Sequence, residues 1–175
     1  AATQLYPTTD PLRFTAPNLQ YFMDSPVELS DFVLREWTVT SLTGTFPVRL
    51  ALHHQGTDAE LDSYIEMLKK VVAQEIAVFG TTPRYDVGKY TFIADYLPWA
   101  SGDGMEHRNS TIITSSRPLL GNEKALLGTA SHEFFHSWNV VNEAVLPSDG
   151  RSDGLRNSIW LQLLGPSYIS SAFTW

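Results

Sequence analysis

Asn122-Glu123-Lys124-Ala125-Leu126-Leu127-Gly128-Thr129-Ala130-Ser131-His132-Glu133-Phe134-Phe135-His136 is the stretch on which the reading of this chain turns. Asn122 is a good helix N-cap, and the apolar residues that follow support a helix from Glu123 onward. On a helix, residues four apart lie on one face about a turn apart. His132 and His136 can therefore reach one metal ion, with Glu133 projecting beside them. Neutral imidazole nitrogens suit zinc, which lowers the pKa of a bound water toward about 7 and polarises a carbonyl, while the glutamate can take the proton as the water attacks. The same pentapeptide also occurs by chance on helices that bind no metal, and the predicted helix is the context the zinc reading requires.

Upstream, residues 1 to 30 carry Pro7, Pro11, Pro17 and Pro26, so no long helix or central strand fits there and an irregular lead-in is predicted. Val33, Arg35, Trp37 and Val39 alternate with Leu34, Glu36 and Thr38. Phe46, Val48, Leu50 and Leu52 repeat that period of two after Thr43-Gly44, which predicts a hairpin. Thr57 and Glu60 form a capping-box pair, and apolar residues from Leu61 to Phe79 recur at helical spacing until Gly80. A strand is predicted over Tyr90 to Tyr96, then short strands over Met105 to Asn109 and Thr111 to Thr114. Gly102-Asp103-Gly104-Met105-Glu106 permits close backbone approach at its glycines, and the strand after them could pair with a peptide whose terminal ammonium meets Glu106. A plain hairpin turn is the bland alternative.

The composition bounds the function. The chain has 175 residues, 43% of them hydrophobic, as one globular domain requires. Its 12 Lys and Arg against 19 Asp and Glu give a net charge of −7 with no basic run, so nucleic acid is not expected as a partner. No apolar stretch approaches the roughly 18 to 20 residues that span a bilayer, so no membrane partner is expected either. With no cysteine, any metal must use His and carboxylates. His53 and His54 point to opposite faces of a strand and read as structural, His107 faces away from Glu106, and Arg108 and Asn109 read as fixing the edge strand. Asp58, Glu60, Asp62 and Glu66 read as a solvated helix face. Trp99 reads as a core ring or a pocket wall.

Gly104-Met105-Glu106-His107-Arg108-Asn109-Ser110 and His132 to Val140 together resemble the glycyl aminopeptidase family of gluzincin-type zinc metallopeptidases. Asn18 to Pro26 and Tyr90 to Gly104 extend the resemblance to roughly residues 17 to 140. It implies an α+β fold, a thermolysin-like upper catalytic subdomain in which a twisted mixed β-sheet carries an active-site helix with HExxH. It also implies His132 and His136 as zinc ligands, Glu133 as general base, and Gly104, Met105 and Glu106 as substrate-binding residues, with Glu106 anchoring the substrate amine. The expected partner is a peptide and the expected reaction is hydrolysis of an N-terminal peptide bond by metal-activated water. The domain reading is a lead-in over 1–30, a catalytic subdomain over 31–140 and a divergent tail over 141–175.

The resemblance also implies a third zinc ligand, a glutamate on a following helix, and no glutamate follows Glu143. Leu163 stands at the expected position. Continued helically, Glu143 would lie about 10 Å beyond His136 at about 1.5 Å per residue. Asp149 and Asp153 could fold back, Asn142 holds the spacing of a metzincin ligand, and a partner chain is a further source. The tail, with Trp160, Leu161, Leu163, Leu164, Tyr168, Ile169, Phe173 and Trp175, is apolar enough to need burial, which predicts self-association as a homodimer. Two hypotheses follow. One is an active zinc aminopeptidase. The other is a catalytically impaired, self-associating fragment with weak or no metal binding. Localisation stays open, with a periplasmic or secreted site compatible with removal of a leader before Ala1.

Overall fold

The computed structural model describes residues 1–139. In chain order the elements are β1 (Ala2–Thr3), β2 (Tyr6–Pro7), β3 (Phe14–Thr15), α1 (Leu19–Met23), β4 (Val27–Glu28), β5 (Val33–Ser41) and β6 (Gly44–His54). Then come α2 (Asp58–Phe79), β7 (Tyr90–Tyr96), β8 (Asp103–His107), β9 (Ser110–Ser115) and α3 (Glu123–Asn139). The fold is mixed α+β. Its twisted five-stranded sheet has the order β5-β6-β7-β9-β8. β5 and β6 form the predicted hairpin, closing at Ser41 opposite Gly44, where φ is 130°. The α2 crossover makes β7 parallel to β6, β9 is parallel to β7, and β8 returns antiparallel to β9 as the sheet edge. None of the described helices is long and apolar enough to cross a membrane.

Helix α2 forms where its sequence signals place it. The Thr57 N–H donates to Glu60 Oε2 at 2.6 Å and the Glu60 N–H donates to Thr57 Oγ1 at 3.3 Å, so two free amides of the first turn are satisfied reciprocally. Gly80, at φ 72°, ends the helix in the left-handed conformation that favours glycine and donates its N–H to Ile76 O. The buried stripe Leu61, Tyr64, Leu68 and Val72 packs on Leu50, Leu52, Phe92 and Ala94 of the sheet, and Leu126, Ala130 and Phe134 of α3 complete the core.

Three local expectations are corrected. The edge strand starts earlier than Met105 to Asn109: it is Asp103–His107, because Arg108 and Asn109 make the turn that reverses into β9. The Asn122 side chain does not cap α3. Its Nδ2 donates to the carbonyls of Pro118 (3.1 Å) and Leu120 (3.3 Å), closing the preceding turn, while its backbone carbonyl receives the Leu126 N–H. Trp99 is 72% exposed and therefore not a core ring.

The lead-in contains no long element, as the prolines dictate, yet it is not loosely attached. It covers the sheet face opposite α2 and α3, which explains why Thr91 and Ile93 are buried together with Tyr90, Phe92 and Ala94. Gln4 donates to Asn109 O and to Thr91 Oγ1, Arg49 donates to Thr91 Oγ1, and α1 is capped by Asn18, whose Oδ1 accepts the Tyr21 N–H at 2.8 Å. The tail over 141–175, its proposed self-association and the alternative ligands Asn142, Glu143, Asp149 and Asp153 lie outside the described residues.

Candidate active site

The site is built where α3 crosses the edge strand β8. Residues of a strand alternate between faces, so Gly104 and Glu106 share the face toward α3, and Met105 and His107 share the other. Gly104 approaches so closely that a Cβ there would lie 2.8 Å from Glu133 Cδ and 2.9 Å from its Cγ, so the backbone of this strand position is in direct contact with the Glu133 side chain. Metal-capable atoms of Glu106, Glu133 and His136 all lie within 4.8 Å of one another. His132 Nε2 and His136 Nε2 are 3.2 Å apart.

Of the predicted site residues, His132, His136, Glu133, Glu106 and Gly104 are therefore brought together. Met105 is not among them: its side chain is 54% exposed on the opposite face, and its carbonyl is turned toward β9, where it accepts the Thr111 hydroxyl at 2.8 Å. Two nitrogens bound to one zinc at about 2.0 to 2.1 Å in tetrahedral geometry stand about 3.3 Å apart, so the imidazole pair fits that ion. Burial, with His132 adding to it, lowers the His136 pKa against the opposing pull of Glu106, which keeps the ring neutral and ready to donate a lone pair. The third ligand that the resemblance implies falls outside the described residues.

Glu133 is 5% exposed, and its Oε2 has no hydrogen-bond partner among the described residues. Burial, then the charges of Glu106 and Asp103, push its carboxyl up to about 7. A carboxyl that exchanges its proton near neutrality is suited to act as a base there.

The rear of the site is held from both sides. On the far face of the hairpin, His107 Nδ1 donates to Asp24 Oδ1 at 3.1 Å, and the Arg108 guanidinium lies 3.6 Å from Asp24 and 3.8 Å from Asp86. Asn109 is buried, accepts the Asp86 N–H at 2.9 Å and donates to Tyr21 Oη at 3.3 Å. Behind α3, the Ser131 hydroxyl donates to Glu75 Oε1 at 2.6 Å, and burial raises the Glu75 carboxyl to about 8. Sequence reading missed Glu75, which interrupts the apolar stripe of α2 at a position that shares its buried face. It also missed Asp24 and Asp103. His53 lies between Asp31 (3.1 Å) and Asp95 (3.4 Å), with Glu28 close by, which ties β4 and the loop after it to the sheet. Asp58, Asp62 and Glu66 are exposed as expected, although Arg35 pairs with the first two.

With this geometry in view, a solved structure offers a match to most of the chain. The likeness is one of fold. The match is to an aminopeptidase N family protein from Idiomarina loihiensis, with a TM-score of 0.56, 23% identity, and coverage of 79% of this chain and 24% of that one. A different likeness enters toward the C-terminus, where the model of Glycosyl hydrolase family 10 matches residues 125–175. Endo-1,4-beta-xylanase A of Thermotoga neapolitana is 55% identical over 38 residues, which is 22% of this chain and 3% of the xylanase. That of Caldicellulosiruptor sp. is 48% identical over 40 residues, 23% of this chain and 6% of the enzyme. The chain thus spans only a few per cent of these relatives' length. Both likenesses are to hydrolases.

Proposed function

We propose that the chain is a zinc-dependent aminopeptidase. The observation that carries the reading is the convergence of His132, His136, Glu133 and Glu106 between one helix and one sheet edge. His132 and His136 would hold the ion, which when bound supplies Lewis-acid polarisation of a carbonyl and a lowered pKa for water. The chain's own residues do the rest. The edge of β8, unpaired among the described residues, offers backbone groups to an extended peptide, and Glu106, facing α3, receives its terminal ammonium. Glu133 takes the proton of the attacking water and passes it to the departing amine.

A glycosidase is the second reading, favoured by the family-model match over residues 125–175. Glycoside hydrolysis uses two carboxyl groups flanking the scissile bond. Of that segment, the described residues 125–139 contain one, Glu133. The aminopeptidase-like fold over most of the chain favours the peptidase. The third reading, an impaired and self-associating fragment, rests on the glutamate missing from the tail sequence.

Native mass spectrometry of the full chain equilibrated with zinc, followed by release assays on glycyl peptides and on a β-1,4-xylan, separates the three. The peptidase reading expects one zinc per chain, lost in His132→Ala, and chelator-sensitive release of the N-terminal residue, lost in Glu133→Ala. Release that survives Glu133→Ala would refute the mechanism. Xylan cleavage alone would establish the glycosidase, and an oligomer with no retained zinc would establish the fragment.

A further inference from the structure

The site described above is one end of a longer cleft. Along α3, Ala125, Thr129 and Glu133 are spaced at i, i+4 and i+8 and so share one face. Glu133 touches Gly104, while Ala125 and Thr129 line a cavity of about 440 Å³ together with Gly102 and Asp103. Moving from Glu133 toward the N-terminus of α3 therefore corresponds to moving from Gly104 back toward Gly102 on the edge strand. Helix and strand run in the same direction, and the cleft between them has two chemically different ends. Glu106 and His136 stand at one. At the other, the cavity wall is completed by Arg117, whose guanidinium has no ion pair among the described residues.

We infer that Arg117 receives the C-terminal carboxylate of short peptides, so that the preferred substrates are peptides of about three residues with both termini free. The inference rests on the aminopeptidase reading, because Glu106 must hold the amine for the direction to be fixed. A peptide with its ammonium at Glu106 and its scissile bond beside Glu133 continues toward Asp103 and Gly102, antiparallel to β8. Asp103 precedes Glu106 by three residues, a rise of about 10 Å at about 3.4 Å per residue, and an extended tripeptide spans that distance from amine to carboxylate. Its carboxylate then lies in the cavity that Arg117 walls, and a guanidinium fork is suited to bind it through paired N–H donors. Among the described residues Asp103 is the one acid in the same wall, and its Oδ1 is already engaged by the Gly104 N–H at 2.9 Å. Arg117 is exposed and outside the core, so substituting it leaves the fold undisturbed.

The test is isothermal titration of the zinc-equilibrated full chain carrying Glu133→Gln, which stops hydrolysis of the ligand, with and without Arg117→Ala, using triglycine, triglycine amide and N-acetyltriglycine. Amidation is expected to weaken binding about tenfold where Arg117 is intact, and Arg117→Ala to abolish that difference while keeping the penalty for acetylation. Arg117→Lys, which keeps the charge without the fork, is expected to retain part of the preference. Equal affinity for acid and amide, with acetylation still harmful, would overturn the inference and leave the amine site intact. Insensitivity to acetylation, or no binding of any of the three, would overturn the amine site and the inference together.

Discussion

Glu75 gives the prediction whose size follows most directly from the structure. It is 8% exposed on α2, its Oε1 accepts from Ser131, and its Oε2 has no partner among the described residues. Tyr85 and Tyr90 are its other titratable neighbours, and neither brings a positive charge. Burial raises the carboxyl from 4.5 to about 8, so the folded chain keeps a proton that the unfolded chain releases. Stability must then fall as pH rises: the loss begins near 4.5, where the unfolded chain ionises, and is complete above about 8, where the folded chain does. At about 1.36 kcal/mol per pH unit the full cost is ~5 kcal/mol, and about 3 kcal/mol of it accrues between pH 6 and pH 9. That is a large share of the roughly 5 to 15 kcal/mol by which domains are stable. Glu75→Gln keeps the shape and the acceptor for Ser131 but cannot ionise. Urea unfolding followed by tryptophan fluorescence at pH 6 and pH 9 should show the variant spared about 3 kcal/mol of the decline. Parallel declines in the two proteins would refute the reasoning, since the carboxyl would then ionise without penalty in the folded chain.

Gly104→Ala would place a methyl group against the Glu133 side chain, so it is expected to cost about 1–3 kcal/mol in urea unfolding and to cut peptide release sharply. Gly102→Ala, where an added Cβ meets nothing within 4 Å, is the matched control for packing and should leave urea unfolding unchanged. Asn109→Ala leaves the Asp86 N–H without its acceptor and removes the tie to Tyr21. It should destabilise by about 1–3 kcal/mol, and limited proteolysis should then cut the lead-in faster.

Much of the fold was legible because local chemistry agreed with tertiary demand. The β5–β6 hairpin follows from its period of two, and α2 from its capping box, apolar stripe and terminal glycine, signals that act within a few residues and need no distant partner. The N-terminus of α3 shows the limit of that reasoning. Asn122 has the right chemistry for a cap, but the nearby turn carbonyls of Pro118 and Leu120 compete for its side chain. Glu75 shows a second limit, since a lone acid on an apolar stripe gives no sign in sequence that Ser131, 56 residues later, will receive it.

By itself the sequence determined that His132 and His136 lie a turn apart on one helix with Glu133 between them, because helical geometry depends only on spacing. It also put Glu106 on a short strand, while the structure extends that strand back to Asp103 and so sets Gly104 on the same face. What only the tertiary structure decided is that these two faces are opposed. Packing α3 across the sheet edge sets Glu133 against the bare backbone of Gly104 and brings Glu106 beside His136. The same packing buries the Glu133 carboxyl among other acids, which raises it toward neutrality, and opens the cavity between Thr129 and Arg117. Those relations span tens of residues and depend on how helix and sheet exclude water together, which no local pattern records.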